Sequence, residues 1–408
     1  MPPETNRPSE ATEYRMPGRR RVAFVVESGT DVRMVEGLAS RCELSVVARR
    51  IDGGHEISQP PRAQFTKVVG PGAFAAFARF VFRWVLRERA NIDVVVLQGY
   101  GPSALAGNLA ATLIGVPAVM LVCSPVEEYY ACRRQERTGR RYRRLEAMAI
   151  RATALLNARV GGRYVALSSY LASVIRSYGS RNAVDVIPVY GVDTSRFEPS
   201  CGTRVETRRR LRLPGDARLL FFSSRIAPEK DPDTLLAAVG MLRAEGRDVR
   251  IVHLSGGYQD FVRRATAHGL EAAVIAADAI PPFTRLAEWY QAADVCVQAS
   301  REEGLGFSVL ESLACGTPVV AAAVGGLRDT IRDGHTGWTY RAGDVQALVN
   351  ALRSVLDNPE EGRRRALKGR ELVLRSYEQG YVFDAFVNML ATQAVEKGLK
   401  APQRAVAG

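Results

Sequence analysis

Short apolar runs separated by longer stretches of mixed polarity set the rhythm of this chain. Six of them, at 21–26, 44–48, 93–97, 118–122, 164–167 and 184–189, are near-continuous rather than alternating. Such runs suit strands buried on both faces, and the segments between them are long enough for helices, so the pattern predicts βαβ units and a parallel sheet. The rhythm then restarts with runs at 219–222, 249–254, 273–275, 295–298, 318–322 and 337–340. Between the two sets lies 197–215, where Glu-Pro-Ser-Cys-Gly-Thr and Leu-Pro-Gly-Asp mark loops on either side of a basic segment.

At 408 residues the chain is too long for one ordinary core. The restart predicts two α/β, doubly wound, Rossmann-like domains, at 19–197 and 198–375, facing a cleft at the carboxyl ends of their strands. A last helical stretch, 376–397, is expected to cross back and brace the first domain. Residues 1–18, rich in Pro, Glu, Thr and Arg, read as a disordered lead-in without the apolar core of a secretory signal, and 398–408 as a tail. No residue from 94 to 126 is charged, which is long enough for a membrane span. Gln98, Gly99, Gly101, Pro102, Asn108 and Pro117 break that run into strand, helix and strand, so no transmembrane helix is expected.

Composition changes this picture only through charge. The six cysteines show no C-x-x-C spacing and no histidine at zinc-site spacing, which points to a reduced, cytoplasmic protein without a structural metal. The formal charge of +13 is uneven: 133–151 holds eight arginines against two glutamates. A helix is predicted at 72–89, with Phe74, Phe77, Val81, Trp84 and Val85 on one face and Arg79, Arg83 and Arg87 as a ridge. That face can pack on the first sheet, or it can lie in a membrane interface with arginines toward anionic headgroups. Together with the arginine segment it predicts a protein docked on the inner face of an anionic membrane. Nucleic acid is not an expected partner, since no binding module or aromatic interleaving accompanies the charge.

The candidate chemistry concentrates at Glu303-Gly-Leu-Gly-Phe-Ser-Val-Leu-Glu311, where two carboxylates flank a glycine turn that opens a helix. Amides at a helix start carry partial positive charge and can take a diphosphate, while each carboxylate can accept hydrogen bonds from vicinal hydroxyls. Arg225 and Lys230 lie on an earlier loop at the same sheet edge, where they could neutralise a departing diphosphate.

With these, the chain resembles retaining glycosyltransferases of family 4, which have the GT-B fold. The resemblance rests on the Arg225 and Lys230 loop, Ala292-Ala-Asp294, Glu303 and Glu311, Ala314-Cys-Gly-Thr-Pro-Val-Val320, Gly325-Gly326, Asp333-Gly-His-Thr-Gly337 and the junction Val186-Ile-Pro-Val-Tyr-Gly-Val-Asp193. It implies a nucleoside-diphosphate sugar as donor, a hydroxyl acceptor on a glycan or lipid-linked molecule, and no metal or permanently bound cofactor. Arg225, Lys230 and Glu303 would be catalytic. The amides of Gly304, Leu305, Gly306 and Phe307 would hold the phosphates, Glu311 the ribose, and Ala279 and Ile280 the base. The first domain departs from the family twice: the loop after the first strand has only Gly29, and Cys123-Ser-Pro125 stands where a histidine is usual. A nucleotide-sugar-binding homologue with altered catalysis, or another GT-B enzyme such as an epimerase, are the alternatives. Glu127, Glu128 and Tyr129 read as surface loop residues, and His253, His268 and His335 as structural.

Overall fold

The computed structural model describes residues 19–396 apart from 28, 52–63, 140–143, 201, 256 and 278–284. The expected lead-in and tail, and both Ala279 and Ile280, lie outside the described residues. The first sheet comprises β1 (Arg21–Val26), β2 (Glu43–Arg49), β3 (Thr66–Gly70), β4 (Val94–Gln98), β5 (Ala118–Val122), β6 (Arg163–Ala166) and β7 (Val184–Val186). The second comprises β8 (Arg218–Phe222), β9 (Val249–Leu254), β10 (Val274–Ala277), β11 (Val295–Gln298), β12 (Val319–Ala322) and β13 (Trp338–Tyr340). Their orders are β3-β2-β1-β4-β5-β6-β7 and β10-β9-β8-β11-β12-β13, with parallel pairing throughout.

In β1 every residue from Val22 to Val26 is at most 1% exposed, the burial that near-continuous apolar runs imply. Each sheet reverses its order beside its first strand, between β1 and β4 and between β8 and β11. Connections leave in opposite directions there and open a crevice at the strand ends. Glu27 and Gln98 stand at the first crevice, Ser224 and Gln298 at the second.

Two strand expectations need adjustment. The 184–189 run ends at Val186, because Pro188 cannot continue a ladder. β3 was not anticipated: it is an edge strand, Thr-Lys-Val-Val-Gly, with Val69 42% exposed and no continuous apolar run to announce it.

The helices needed below are α1 (Val32–Ala39), α2 (Phe74–Arg87), α3 (Pro102–Leu113), α4 (Val126–Thr138) and α5 (Arg144–Val160). The uncharged stretch 94–126 thus becomes β4, α3 and β5, and no helix among the described residues is long and apolar enough to cross a membrane. On α2, Phe77, Val81 and Val85 are fully buried, and Phe80, Phe82 and Trp84 pack against the same core. The apolar stripe is committed to the first sheet, while Arg79, Arg83 and Arg87 face outward. Phe74 stays half exposed beneath the Arg49 guanidinium, 4.1 Å from its centroid. Of the arginine segment 133–151, only the Arg134 and Arg151 side chains fall within the described residues.

The terminal helix Gln379–Glu396 lies against α1. Phe383 is fully buried on Gly37, where a Cβ would stand 2.2 Å from its ring. Arg41 covers that ring and donates to Asp384 Oδ1 at 2.6 Å. Backbone bonds from Val192 N to Tyr377 O and from Gln379 N to Val192 O fix where the helix begins. Phe383→Ala should cost about 3 to 5 kcal/mol, the usual cost of emptying a buried aromatic site. Urea denaturation checks this, and an unchanged midpoint would show that the helix does not brace the first domain.

Candidate functional site

Glu303 is 8% exposed and sits in the turn that leaves β11. Its Oε2 accepts from Gln298 Nε2 at 3.0 Å, from the Ser300 hydroxyl at 3.3 Å, and from Lys230 Nζ in an ion pair. Lys230 ends a short 3-10 turn, Pro228–Lys230, and the next residue, Asp231, takes a φ of +46°. Arg301 ties this loop to the Glu303 turn: its Nε donates to Asp231 Oδ2 at 2.9 Å and its amide to the Glu229 carbonyl at 2.9 Å. The two expected charges therefore meet because their loops are stitched together.

The turn then runs into the helix Phe307–Ala314 through Gly306, at φ +94°. The first amides of that helix have no carbonyl four residues back, so they present donors and positive potential to the cleft. Gly325 and Gly326 support the turn from below. A Cβ on either would stand 2.0 Å from the Glu303 carbonyl or 2.2 Å from that of Gly304, so only glycine permits this approach.

Glu311 lies in that same helix, one turn further in, and is 6% exposed. Arg33 of α1 donates to its Oε1 at 3.2 Å, and the Tyr290 hydroxyl to its Oε2 at 2.9 Å. Burial raises the Glu311 pKa above its ordinary value near 4.5, and the Arg33 charge and Tyr290 hydrogen bond only partly offset this. Burial also opposes the Arg33 charge, but Asp31 and then Glu311 outweigh it and hold its pKa above normal. Arg33 further lies over the Phe307 ring, 5.0 Å from its centroid. A carboxylate has about four acceptor positions, so two remain on Glu311 for a ligand.

Residues 203–372 match the family model for glycosyl transferases group 1, and 32–196 that for glycosyltransferase family 4. A D-inositol 3-phosphate glycosyltransferase of Streptomyces griseus subsp. griseus is 31% identical over 84% of this chain and 75% of its own length. The chain belongs to glycosyltransferase family 4. For other relatives of the same description the match spans about half of their length: 42% in Thermobispora bispora, at 39% identity over 42% of this chain, and 53% in Geodermatophilus obscurus, at 38% over 58%. Among solved structures, sucrose-phosphate synthase from Thermosynechococcus elongatus superposes with a TM-score of 0.77 at 20% identity, covering 93% of this chain and all of that one. Anabaena HepE in complex with UDP and glucose superposes at 0.73 and 17% identity, covering 91% and 99%. These likenesses establish the two-domain GT-B fold.

The family 4 positions do not all converge. Arg225 is 67% exposed on its side chain and pairs with Glu229 at 3.7 Å, not with Glu303. Its charge reaches Tyr129, whose hydroxyl approaches Glu303 Oε1 at 3.5 Å and is pushed to a high pKa by burial and then by the Glu303 charge. Glu127, Glu128 and Tyr129 form the first turn of α4 rather than a surface loop, and all three are partly buried. The Ser168 hydroxyl donates to the Gly304 carbonyl at 2.6 Å and Tyr170 to Glu302 Oε2 at 3.1 Å, so the two domains touch across the cleft.

Where the family usually has histidine, the Cys123 sulfur lies 3.2 Å from the Tyr190 hydroxyl, and burial pushes its thiol up to about 12. The Tyr190 backbone is at φ +87° and its ring meets Phe307 edge-on at 5.2 Å. His253 is fully buried, with Nδ1 2.7 Å from the Phe222 carbonyl, as a structural residue should be. Arg33 escaped sequence reading because no motif spacing links residues on opposite domains, Tyr290 because nothing in its local pattern ties it to Glu311, and Tyr129 was read as a surface loop residue because the start of α4 carries no helical signature.

Two outcomes follow from this geometry. Gly326→Ala should displace the Glu303 turn and weaken nucleoside-diphosphate binding or turnover by about a hundredfold, the scale of a 1 Å misplacement; wild-type values would contradict the close approach. Because the Glu311 pKa is raised, its carboxylate is lost to protonation at a higher pH than an ordinary glutamate. UDP affinity, titrated from pH 7.5 downward, should carry a falling phase above about 4.5 that is absent from Glu311→Gln. Identical profiles in the two proteins would contradict it.

Proposed function

We propose that this chain is a retaining glycosyltransferase that moves a sugar from a nucleoside-diphosphate sugar to a hydroxyl acceptor. The observation that carries the reading is the buried Lys230 and Glu303 pair beside the amides that open Phe307–Ala314, a helix start with no side-chain cap. In this reading the diphosphate lies on those amides, with Lys230 neutralising it, and Arg225 swings in from its exposed position. Glu303 accepts from the sugar hydroxyls through Oε1, and the two open positions of Glu311 take the ribose hydroxyls. Ala279 and Ile280 are assigned to the base. Metal is not called upon.

The chemistry requires little protein acid or base. The bond between the anomeric carbon and the phosphate oxygen breaks, and the acceptor oxygen bonds that carbon from the same face. The acceptor proton passes to the leaving diphosphate. Closed domains orient the hydroxyl and stabilise the charge that develops on the diphosphate. HepE was solved with UDP and with UDP-glucose, which makes UDP-sugars the first donors to test here. The relatives are named for D-inositol 3-phosphate, a phosphorylated polyol, which supports a polyol acceptor. A lipid-linked or cell-envelope acceptor at an anionic membrane is supported by the outward ridge of Arg79, Arg83 and Arg87 and by the arginine segment 133–151, and no longer by the apolar stripe of α2, which is in the core.

Donor hydrolysis separates this enzyme from a pure binder. The wild type should slowly release nucleoside diphosphate from one of the UDP-, GDP- or ADP-sugars, and Lys230→Ala should lower that turnover by about two to three orders of magnitude, the scale of a lost charge-stabilising donor. Binding without release would favour the catalytically altered homologue, and wild-type turnover in the variant would remove Lys230 from the assignment.

A further inference from the structure

A cavity of about 580 Å³ lies at the far edge of the second sheet from Glu303. Arg218 opens β8, Asp294 directly precedes β11 and Pro318 directly precedes β12, and all three line it. In a parallel sheet these are the amino ends of the strands, whereas Glu303 follows the carboxyl end of β11. Arg204, in the helix Arg204–Arg210, the end of the helix Val345–Asp357, and Arg363, near the start of Pro359–Ser376, complete the wall. The space is that of a small-molecule site.

The charges in this wall do not balance. Asp294 is the one carboxylate among the described lining residues, and it is already engaged three times. Its Oδ1 accepts from Arg204 Nη1 at 2.9 Å, and its Oδ2 from Arg208 Nη2 and the Leu219 amide, each at 2.7 Å. One negative charge thus faces two guanidiniums before Arg218 and Arg363 are counted. Arg208 is enclosed and also donates to the carbonyls of Ala292, Gly215 and Ala217, which makes it part of the fold. Arg218 and Arg363 are exposed, and among the described residues neither side chain makes a hydrogen bond or ion pair.

The carboxylates around the rim are committed elsewhere. Asp357 feels the Arg218 charge but accepts from both terminal nitrogens of Arg247, at 2.7 and 3.0 Å. Glu206 accepts from the Thr203 amide and hydroxyl, and Glu361 from Arg364 and Arg365. Burial pulls the Arg204 pKa below its ordinary value; the Asp294 charge opposes this, while Arg208 and Arg363 add to it. Arg204 is therefore a cation held among cations, with 39% of its side chain still open.

The planar fork of arginine matches the oxygens of a phosphate, and three such forks around one small space suit a doubly charged group. The apolar end of Val345–Asp357 leaves room beside them for a short carbon skeleton. We infer that this cavity binds a small soluble phosphate monoester through Arg204, Arg218 and Arg363, at a site separate from the donor cleft. The inference does not depend on the glycosyltransferase reading.

Isothermal titration of the full chain with glycerol 3-phosphate, and with glycerol as the uncharged control, tests it. The ester should bind and glycerol should not. The double variant Arg218→Gln, Arg363→Gln should lose about tenfold or more in affinity, the worth of a lost charge-assisted contact. Both replaced side chains are exposed and unbonded, so its circular dichroism should match the wild type. Lys230→Ala, which alters the donor cleft, should leave ester binding unchanged. Sedimentation with vesicles of phosphatidic acid, which carries the same headgroup, against phosphatidylcholine separates a lipid source from a soluble one. No binding of the ester, equal binding by the double variant, or a loss in Lys230→Ala instead would overturn the inference. Binding to phosphatidic acid vesicles without binding of the free ester would also overturn it and assign the arginines to a lipid surface.

Discussion

The ion pair between Lys230 and Glu303 is the interaction on which the rest of the cleft depends. Both side chains are about one-tenth exposed, 11% and 10%, so neither charge is solvated by bulk water. Burying two charges costs several kcal/mol per ion before their attraction is counted, and the cost is recovered only where further hydrogen bonds satisfy them. Gln298 and Ser300 supply those bonds to the same oxygen of Glu303. Such a pair is a poor device for stability alone. Its effect is to hold one carboxylate oxygen in place and leave the other facing the opposite domain.

That opposite domain is already in contact. Tyr129 approaches the outward oxygen of Glu303, Ser168 holds the Gly304 carbonyl, and Arg33 reaches Glu311 from a position 278 residues earlier. Each contact joins a residue at the carboxyl edge of the first sheet to one at the carboxyl edge of the second. Two doubly wound sheets facing one another make this inevitable, because both crevices open toward the same gap. The crevice at the first reversal point and the charged turn at the second are thus neighbours by topology. Cys123, one carbonyl away from Gly304, is the wall between them.

Much of this was legible in the sequence for a simple reason. Central strands buried on both faces must be apolar throughout, so β1, β5, β9 and β11 were visible as runs with almost their observed ends. β3 was not, because an edge strand needs only one covered face. The helix over 72–89 was legible as α2, yet its stripe of Phe77, Val81 and Val85 could not say whether it faced a sheet or a lipid. Glu303 and Lys230 were found because their spacing sits within local loops. Glu127 was passed over as surface, since only the fold shows Tyr178 bonding to it. Pairing across domains leaves no periodic mark, and Arg33 with Glu311 is the clearest case.

The most direct test of the central claim is a crystal structure of the protein with UDP. The predicted result is a diphosphate within hydrogen-bonding distance of Lys230 Nζ and of the amides that open Phe307–Ala314, with the ribose hydroxyls on Glu311. A nucleotide bound elsewhere, with Lys230 still turned onto Glu303 and Glu311 untouched, would contradict it.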